Sequence, residues 1–400
     1  MKSAGVPFEL EKYRKKSKKQ KRAMFPGFTD ANKIRFFHVG NDYFSTVIDE
    51  ISRARERVWV EAYILEPDHL GYLLLNALKS TALRGVNVVL VYDAIGSGNL
   101  TEEGLTHLKE AGVHIHPFKR LKLDSPTYGI KMWKDFFYRT HRKLIVIDHI
   151  TYSGGMNFST DYCNINGPAN YVDSHARFEG PAAIELSTVL VETASLLKSM
   201  PEEQLKHMQI MQTKFYLRYQ VTYCSMQKMQ SKLRGSFVQI LDSNTRKQRQ
   251  QIQLTLEHVV DNAEHRCYFT TPYFLPSKRL ERAIFRAVRR GVDIKILIAG
   301  KTDVIGITYA TRYMIRRFVD VGIEVYEMYR NELHAKQLVV DQSLLFLGSY
   351  NLDNISYKYN METKIAIKDP HIAVEMERKF HHNIQGSFLV TREYIAATPK

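Results

Sequence analysis

The sequence predicts an α/β fold made of two copies of one domain, and three observations predict it. From about Phe36 onward the apolar residues alternate between the period of a helix and that of a strand. The same order of patterns returns in the second half. One short polar motif also occurs once in each half at matching places, which is the mark of an internal duplication rather than a short-period repeat. At 400 residues, 44% of them hydrophobic, the chain is long and apolar enough to bury the cores of two such domains.

In the first half a helix pattern runs through Ile51, a strand spans Val58 to Tyr63, a helix covers Leu73 to Leu83, and Arg84-Gly85-Val86 leads into a strand from Val86 to Tyr92. In the second half a helix pattern from Leu254 to Asn262 precedes a strand from Cys267 to Thr271. A helix then covers Leu280 to Val288, and Arg290-Gly291-Val292 opens a strand from Asp293 to Ile298. Gly85 and Gly291 are 206 residues apart, Gly112 and Gly322 are 210 apart, and His141 and His334 are 193 apart. The offset falls by 17 between the last two pairs, which predicts an insertion of about that size between Gly112 and His141. Between the halves, Pro181 to Arg234 reads as two or more helices broken near Pro201. Met200, Met208, Met211, Met226 and Met229 make this stretch a soft packing element. The boundaries that follow are a basic, flexible tail over 1–30, a first domain over 31–180, a helical connector over 181–235 and a second domain over 236–400.

A formal charge of +15 calls for a polyanionic partner, either an anionic lipid surface or a nucleic acid backbone, and charge alone does not choose. The three cysteines, Cys163, Cys224 and Cys267, are odd in number and show no CxxC spacing. They indicate neither a disulfide framework nor a zinc site and fit a reducing cytoplasm. No apolar run approaches the roughly 18 to 20 residues that span a bilayer, and no signal peptide is evident, so the chain is expected to start at Met1 and stay on the side of the membrane where it is made. Gly96 to Gly98 is too short for a phosphate loop and reads as a turn after a strand. The basic run that includes Lys15, Lys16, Lys18 and Lys19 is a solvated tail or a polybasic lipid contact. In the insertion, Lys131 and Lys134 interleave with Trp133, Phe136 and Phe137, a mixture that suits a lipid interface, where amphipathic rings sit at headgroup depth. An ordinary loop packing its rings on the protein body is the alternative.

The motif that marks both halves is a histidine and a lysine two residues apart at the head of a β-branched strand. The first copy has His141, Lys143 and Asp148, followed by Gly154, Gly155 and Asn157. The second has His334, Lys336 and Asp341, followed by Gly348, Ser349 and Asn351. Strand alternation places each histidine and its lysine on one face. A lone His-x-Lys is weak, because an isolated histidine is more often packed or at the surface. Two copies at matching points of a repeat point to chemistry. The stretch from Asp148 to Gly154 encloses five residues and that from Asp341 to Gly348 six, so the first hairpin is expected to be one residue tighter, which shifts Asn157.

These residues resemble the HKD signature of the phospholipase D superfamily, and the likeness covers the chain from about residue 34 to 390. The stretches ALRGVNVVLVYDAIGSG, THRKLIVID, DSHARFEGP and GSYNLDNISYKYNMET further resemble bacterial cardiolipin synthases that lack transmembrane helices. The resemblance implies duplicated α/β/α sandwich domains with pseudo-twofold symmetry and one shared active site. It implies that one histidine attacks phosphorus to give a phosphohistidine while the other protonates the leaving oxygen and then deprotonates the acceptor. His141 is expected as nucleophile and His334 as general acid and base, with the reverse order left open by the symmetry of the motifs. Lys143, Lys336, Asn157 and Asn351 would bind phosphate oxygens, with no metal and no cofactor. Asp173 and Glu362 match positions where the superfamily carries an acid that orients a histidine, whereas Asp148 and Asp341 match structural hairpin residues.

A phosphodiester needs this inventory: a nucleophile, a proton donor for the leaving alkoxide, and cations on oxygens whose charge grows in the transition state. The expected function is cardiolipin synthesis by transfer of a phosphatidyl group from phosphatidylglycerol, or phosphatidylethanolamine, to phosphatidylglycerol. The alternatives are a hydrolytic phospholipase D, a related phospholipid synthase, and, behind these, a nuclease. The expected partners are anionic phospholipids and a membrane surface rather than nucleic acid, with the protein peripheral on the cytoplasmic side of a bacterial inner membrane.

Overall fold

A computed structural model of the chain describes residues 27–119, 137–164, 171–228, 235–244, 246–301 and 305–397. Lys15, Lys16, Lys18, Lys19, Lys131, Trp133, Lys134, Phe136 and Met229 lie outside the described residues. The first half runs β1 (Thr29–Phe37), α1 (Gly40–Arg53), β2 (Arg57–Ala62), α2 (His69–Leu83), β3 (Asn87–Asp93), α3 (Glu102–Glu110), β4 (His114–Phe118), β5 (Leu144–Ile147), β6 (Ile150–Gly154), β7 (Tyr171–Val172) and β8 (His175–Glu179). Helices α4 (Pro181–Ser195) and α5 (Glu202–Lys228) follow, on either side of the break at Pro201. The second half repeats the plan: β9 (Ser236–Asp242), α6 (Arg246–Asp261), β10 (Arg266–Thr270), α7 (Lys278–Arg289), β11 (Asp293–Ala299), α8 (Ile305–Asp320), β12 (Glu324–Met328), β13 (Glu332–Leu333), β14 (Gln337–Val340), β15 (Leu344–Gly348), α9 (Asn354–Lys358), β16 (Thr363–Lys368), α10 (Pro370–Gln385), β17 (Phe388–Leu389) and α11 (Arg392–Ala397). The first strand begins at Thr29, two residues inside the stretch expected as tail.

Fifteen of these strands form one sheet, in the order β17-β12-β11-β10-β14-β15-β16-β9-β1-β8-β6-β5-β2-β3-β4, and β13 and β7 pair as a separate two-stranded sheet. Read outward from the β9–β1 seam, β16-β15-β14-β10-β11-β12 mirrors β8-β6-β5-β2-β3-β4, so a pseudo-twofold axis passes through the seam. The duplicated units are therefore joined edge to edge. In each half the three strands joined by crossover helices are parallel and the hairpin strands are antiparallel. The β3 run Val88 to Val91 is fully buried, as a strand covered on both faces requires.

Among the described residues three large apolar layers hold the sheet, beside a smaller cluster of Tyr268, Leu297, Met328, Leu333, Ala335 and Phe380 in the second half. One core lies under α1, α2 and α3, a second under α6, α7 and α8, each within its own half. The third, on the opposite face, is shared: Trp59, Val89 and Leu144 from the first half, Val339, Leu345 and Ile365 from the second, and Leu186, Leu190 and Met208 from the connector pack together. Met200 and Met211 lie against that shared core. Each fully buried Leu or Ile here contributes about 1.5 to 3 kcal/mol, so the two halves stabilise each other as parts of one body.

Each His-x-Lys departs from expectation in one respect. It lies in the extended segment just before β5 or β14 rather than on the strand itself. The two aspartates close the hairpins behind it. Asp148 and Asp341 adopt positive φ, 49° and 48°, a conformation that Asp tolerates better than most residues. The Asp148 carboxylate accepts the backbone N–H groups of Arg55, Glu56 and Arg57, and that of Asp341 accepts those of Glu264, His265 and Arg266. The ladder pairs Ile147 with Ile150 but Val340 with Leu344, so the first loop is one residue shorter.

Candidate active site

Both motifs reach the seam through backbone pairing between the halves. Thr140 forms a parallel bridge with Met361, and the His141 N–H donates to the Met361 carbonyl at 2.9 Å. In the mirror position β13 pairs with β7, and the His334 N–H donates to the Val172 carbonyl at 2.9 Å. The residue after Met361 is Glu362 and the residue after Val172 is Asp173, so each half's acid is delivered to the other half's histidine.

The side chains meet accordingly. Asp173 Oδ2 lies 2.6 Å from His334 Nδ1, and the Tyr162 hydroxyl lies 3.0 Å from the same nitrogen. Glu362 Oε2 and the Ser349 carbonyl each lie 3.3 Å from His141 Nδ1. Both carboxylates are acceptors, which places the proton on each Nδ1 and frees Nε2 of the neutral ring as a lone pair. Glu362 is further held by the hydroxyls of Ser349 and Ser356. The histidine side chains keep 11% and 19% of their surface for His141 and His334, enough for a reacting group to approach an otherwise buried site. Gly155 makes room for Asp173, because a β-carbon there would collide with its carboxylate.

Three lysines are buried at this seam. Lys143 Nζ donates to the His141 carbonyl at 2.7 Å, and Lys336 Nζ to the His334 carbonyl. Burial, and then the neighbouring Lys336 charge, pushes Lys143 down to about 7. Burial pushes Lys336 down to about 8, against the pull of Asp173 and Glu362. Lys364 Nζ donates to the Lys336 carbonyl at 2.8 Å and is likewise pushed to about 7 by burial and Lys336. Burial, then Lys336, brings His334 down to about 3 despite Asp173, and burial with Lys143 lowers His141. For the two carboxyls burial acts upward. It is outweighed at Asp173 by the hydrogen bond from His334 and at Glu362 by the His141 charge, so both lie below the usual range. A phosphate monoanion entering this cluster would be attracted by the lysines and would raise the affinity of both histidines for protons.

Asn157 and Asn351 are buried, and each Oδ1 lacks a hydrogen-bond partner; Asn157 Nδ2 donates to the Tyr162 hydroxyl at 3.2 Å. Both amides thus have hydrogen-bonding capacity left over, which costs about 1 to 3 kcal/mol each if nothing meets it. Phe137 is the one described member of the expected lipid-contact set, and its ring lies 5.7 Å from that of Tyr359.

Several site residues escape a reading of the motifs alone. Tyr63 packs its ring 4.3 Å from His141 and under Lys143 Nζ. Tyr162 and Tyr171 stack on each other and present edges to His334. Arg142, the middle residue of the first motif, reaches Thr193 at 2.8 Å and pairs with Asp242 of β9, tying the motif to the connector and the second half. Lys364 stands opposite Gly348 in the ladder as His175 stands opposite Gly154. The acid-x-base spacing of Glu362 with Lys364 and Asp173 with His175 is the signal that could have found it.

With this geometry established, comparison with known proteins is direct. The domain family described as cardiolipin synthase, phospholipase D-like domain matches residues 47–186 and again 256–384. Cardiolipin synthase 1 of Staphylococcus aureus (strain COL) is 27% identical over 372 residues, 93% of this chain and 71% of that protein. The major cardiolipin synthase ClsA of Bacillus subtilis (strain 168) is 29% identical over 370 residues, 92% of this chain and 71% of that protein. Among solved structures, phosphatidylserine synthase of Haemophilus influenzae Rd KW20 superposes with a TM-score of 0.66 at 15% identity, covering 96% of this chain and 92% of that one, a likeness of fold. The two matched segments contain one His-x-Lys and one crossing acid each, and the chain that carries them belongs to the phospholipase D-like cardiolipin synthase family.

Proposed function

We propose that this protein is a phosphatidyltransferase that makes cardiolipin from phosphatidylglycerol. The observation that carries the reading is the crossed pairing of His141 with Glu362 and of His334 with Asp173 beside the buried lysines. It supplies two oriented imidazoles and the cations for one phosphodiester. With the phosphate anion bound and His334 protonated on Nε2 as well as Nδ1, His141 Nε2 attacks phosphorus, the bond to the leaving glycerol oxygen breaks, and His334 gives that oxygen its Nε2 proton. His334, now neutral, takes the proton of a glycerol hydroxyl on a second phosphatidylglycerol. The new alkoxide attacks phosphorus, the phosphorus–nitrogen bond breaks, and both rings return to their starting state. The short Asp173–His334 contact favours a ring that must carry two protons, which supports His334 as the acid. His141, more loosely held, suits the nucleophile.

Lys143, Lys336, Asn157 and Asn351 would receive the phosphate oxygens. The lysine ammonium groups and the amide N–H groups would then meet the negative charge that develops on those oxygens. The substrates place the protein at a membrane surface. We assign the protein to peripheral attachment on the inner face of the cytoplasmic membrane; no helix among the described residues is long and apolar enough to cross a bilayer.

The test is product analysis on phosphatidylglycerol vesicles, with and without phosphatidylethanolamine, for the wild type and for His141→Ala and His334→Ala. Cardiolipin plus glycerol from the wild type and neither from the variants is the expected result. Phosphatidic acid without cardiolipin would make water the acceptor and the protein a hydrolase. No lipid product in any mixture would overturn the reading.

A further inference from the structure

The short helix α9 turns one face into the catalytic site and the other out of the protein. Inward, Asp353 caps it by accepting the N–H groups of Ile355 and Ser356 at 2.8 and 2.7 Å. Ser356 Oγ donates to Glu362 Oε1 at 2.9 Å, and Glu362 is the carboxylate that faces His141. Outward, Ile355 and Tyr359 stand one turn apart, 39% and 37% exposed, beside exposed Asn354 and Lys358.

Other aromatic and apolar side chains lie near this helix and near His141. Phe137 from the first half lies against Tyr359, two residues before the Met361 carbonyl that takes the His141 N–H. On the other side of His141, Tyr63 abuts the turn at Gly96, and the neighbouring Ile95 is 36% exposed. Apolar and aromatic side chains thus lie on both sides of the segment that carries His141, with Lys358 beside them.

We propose that α9 is an interfacial docking element: its Ile355, Tyr359 and Lys358 face seats on an anionic lipid surface, while its inner face supports Glu362 and through it His141. The inference rests on the lipid-substrate reading above. Charge complementarity favours this occupant, since Lys358 belongs to a chain of formal charge +15. Size argues against a second protein copy. Two apolar side chains on one short helix fall far below the roughly 800 Å² per partner of a stable protein interface, whereas a ring and an aliphatic group at headgroup depth bind a membrane in small increments. Docking here would set the site at the depth of the lipid phosphates, so donor and acceptor could both react without leaving the bilayer.

The experiment compares the full chain with an Ile355→Asn/Tyr359→Ser double variant and with Lys358→Gln. Each is given phosphatidylglycerol vesicles and, separately, dihexanoyl phosphatidylglycerol kept below its aggregation threshold; circular dichroism checks folding. The double variant should bind vesicles about tenfold less tightly and lose vesicle activity through a higher apparent KM, with turnover of the monomeric lipid within about twofold of wild type. Lys358→Gln should weaken vesicle binding about fivefold at low salt and leave binding to zwitterionic vesicles unchanged. Equal loss on both substrates would overturn the docking role and leave α9 a support for Glu362. Unchanged vesicle binding would overturn it as well, and if gel filtration showed lost self-association the face would pass to a second copy. A wild type inactive on both substrates would instead overturn the lipid-enzyme reading itself.

Discussion

Asp173→Asn isolates the charge behind His334. The side chains are 2% and 19% exposed, so solvent screens the pair little. With about 4 Å between charge centres and an effective dielectric of about 20, the carboxylate stabilises the imidazolium by about 4 kcal/mol. At about 1.4 kcal/mol per tenfold, removing it should lower kcat about 1,000-fold with little change in KM, because asparagine keeps the shape and an acceptor oxygen. The pH profile gives a second readout. Asp173 raises the proton affinity of His334, so its loss lowers that affinity, the acid form disappears at lower pH, and the optimum moves toward acid. Glu362→Gln should cost less, about 10- to 100-fold, because its contact with His141 is 3.3 Å and two serine hydroxyls share the carboxylate. Cardiolipin formation measured by mass spectrometry at saturating lipid decides the matter. A loss below tenfold for Asp173→Asn, or one smaller than for Glu362→Gln, would refute the assignment of His334 as the acid.

Gly155→Ala should mimic Asp173→Asn, since the added methyl displaces the carboxylate from His334; a kcat within twofold of wild type would show that the loop gives way. Lys364→Met should raise the melting temperature at pH 6.5 by several degrees while raising KM for the lipid. The sign follows from a base whose pKa falls on folding from 10.5 to about 7: between these values the unfolded chain binds more protons, so stability rises with pH there, and the penalty is full below about 7. Thermal unfolding at pH 6.5 and 9 should show that rise weakened in the variant. Asp341→Ala deletes the acceptor of three N–H groups at a residue with positive φ and should cost about 2 to 4 kcal/mol in urea unfolding, with Asp341→Asn milder.

Local pattern carried much of this. The helix from Lys278 to Arg289 and the strand from Asp293 to Ala299 begin or end within two residues of their predicted limits, because period and punctuation by Gly291 are properties of consecutive residues. The duplication was legible for a related reason. Two copies of one fold keep their spacing, so His141 and His334 could be matched before any contact was known. The motifs' exact setting was less legible, since whether a residue lies on a strand or just before it depends on where the neighbouring chain stops pairing.

The sequence by itself determined the element types, the repeat, the break at Pro201, and the residue types from which a phosphodiester site can be built. Tertiary structure alone decided which acid serves which histidine. His141 and Glu362 are 221 residues apart and Asp173 and His334 are 161 apart. The exchange arises because β1 and β9 meet at the seam and each motif pairs with the strand leading to the other half's acid. Structure alone also decided that Lys364 joins the cluster and that α9 faces both inward and outward. Such facts come from long-range pairing, in which the free energy of burying a shared core outweighs the entropy of closing a loop of some two hundred residues, and no local spacing records which ends that loop will bring together.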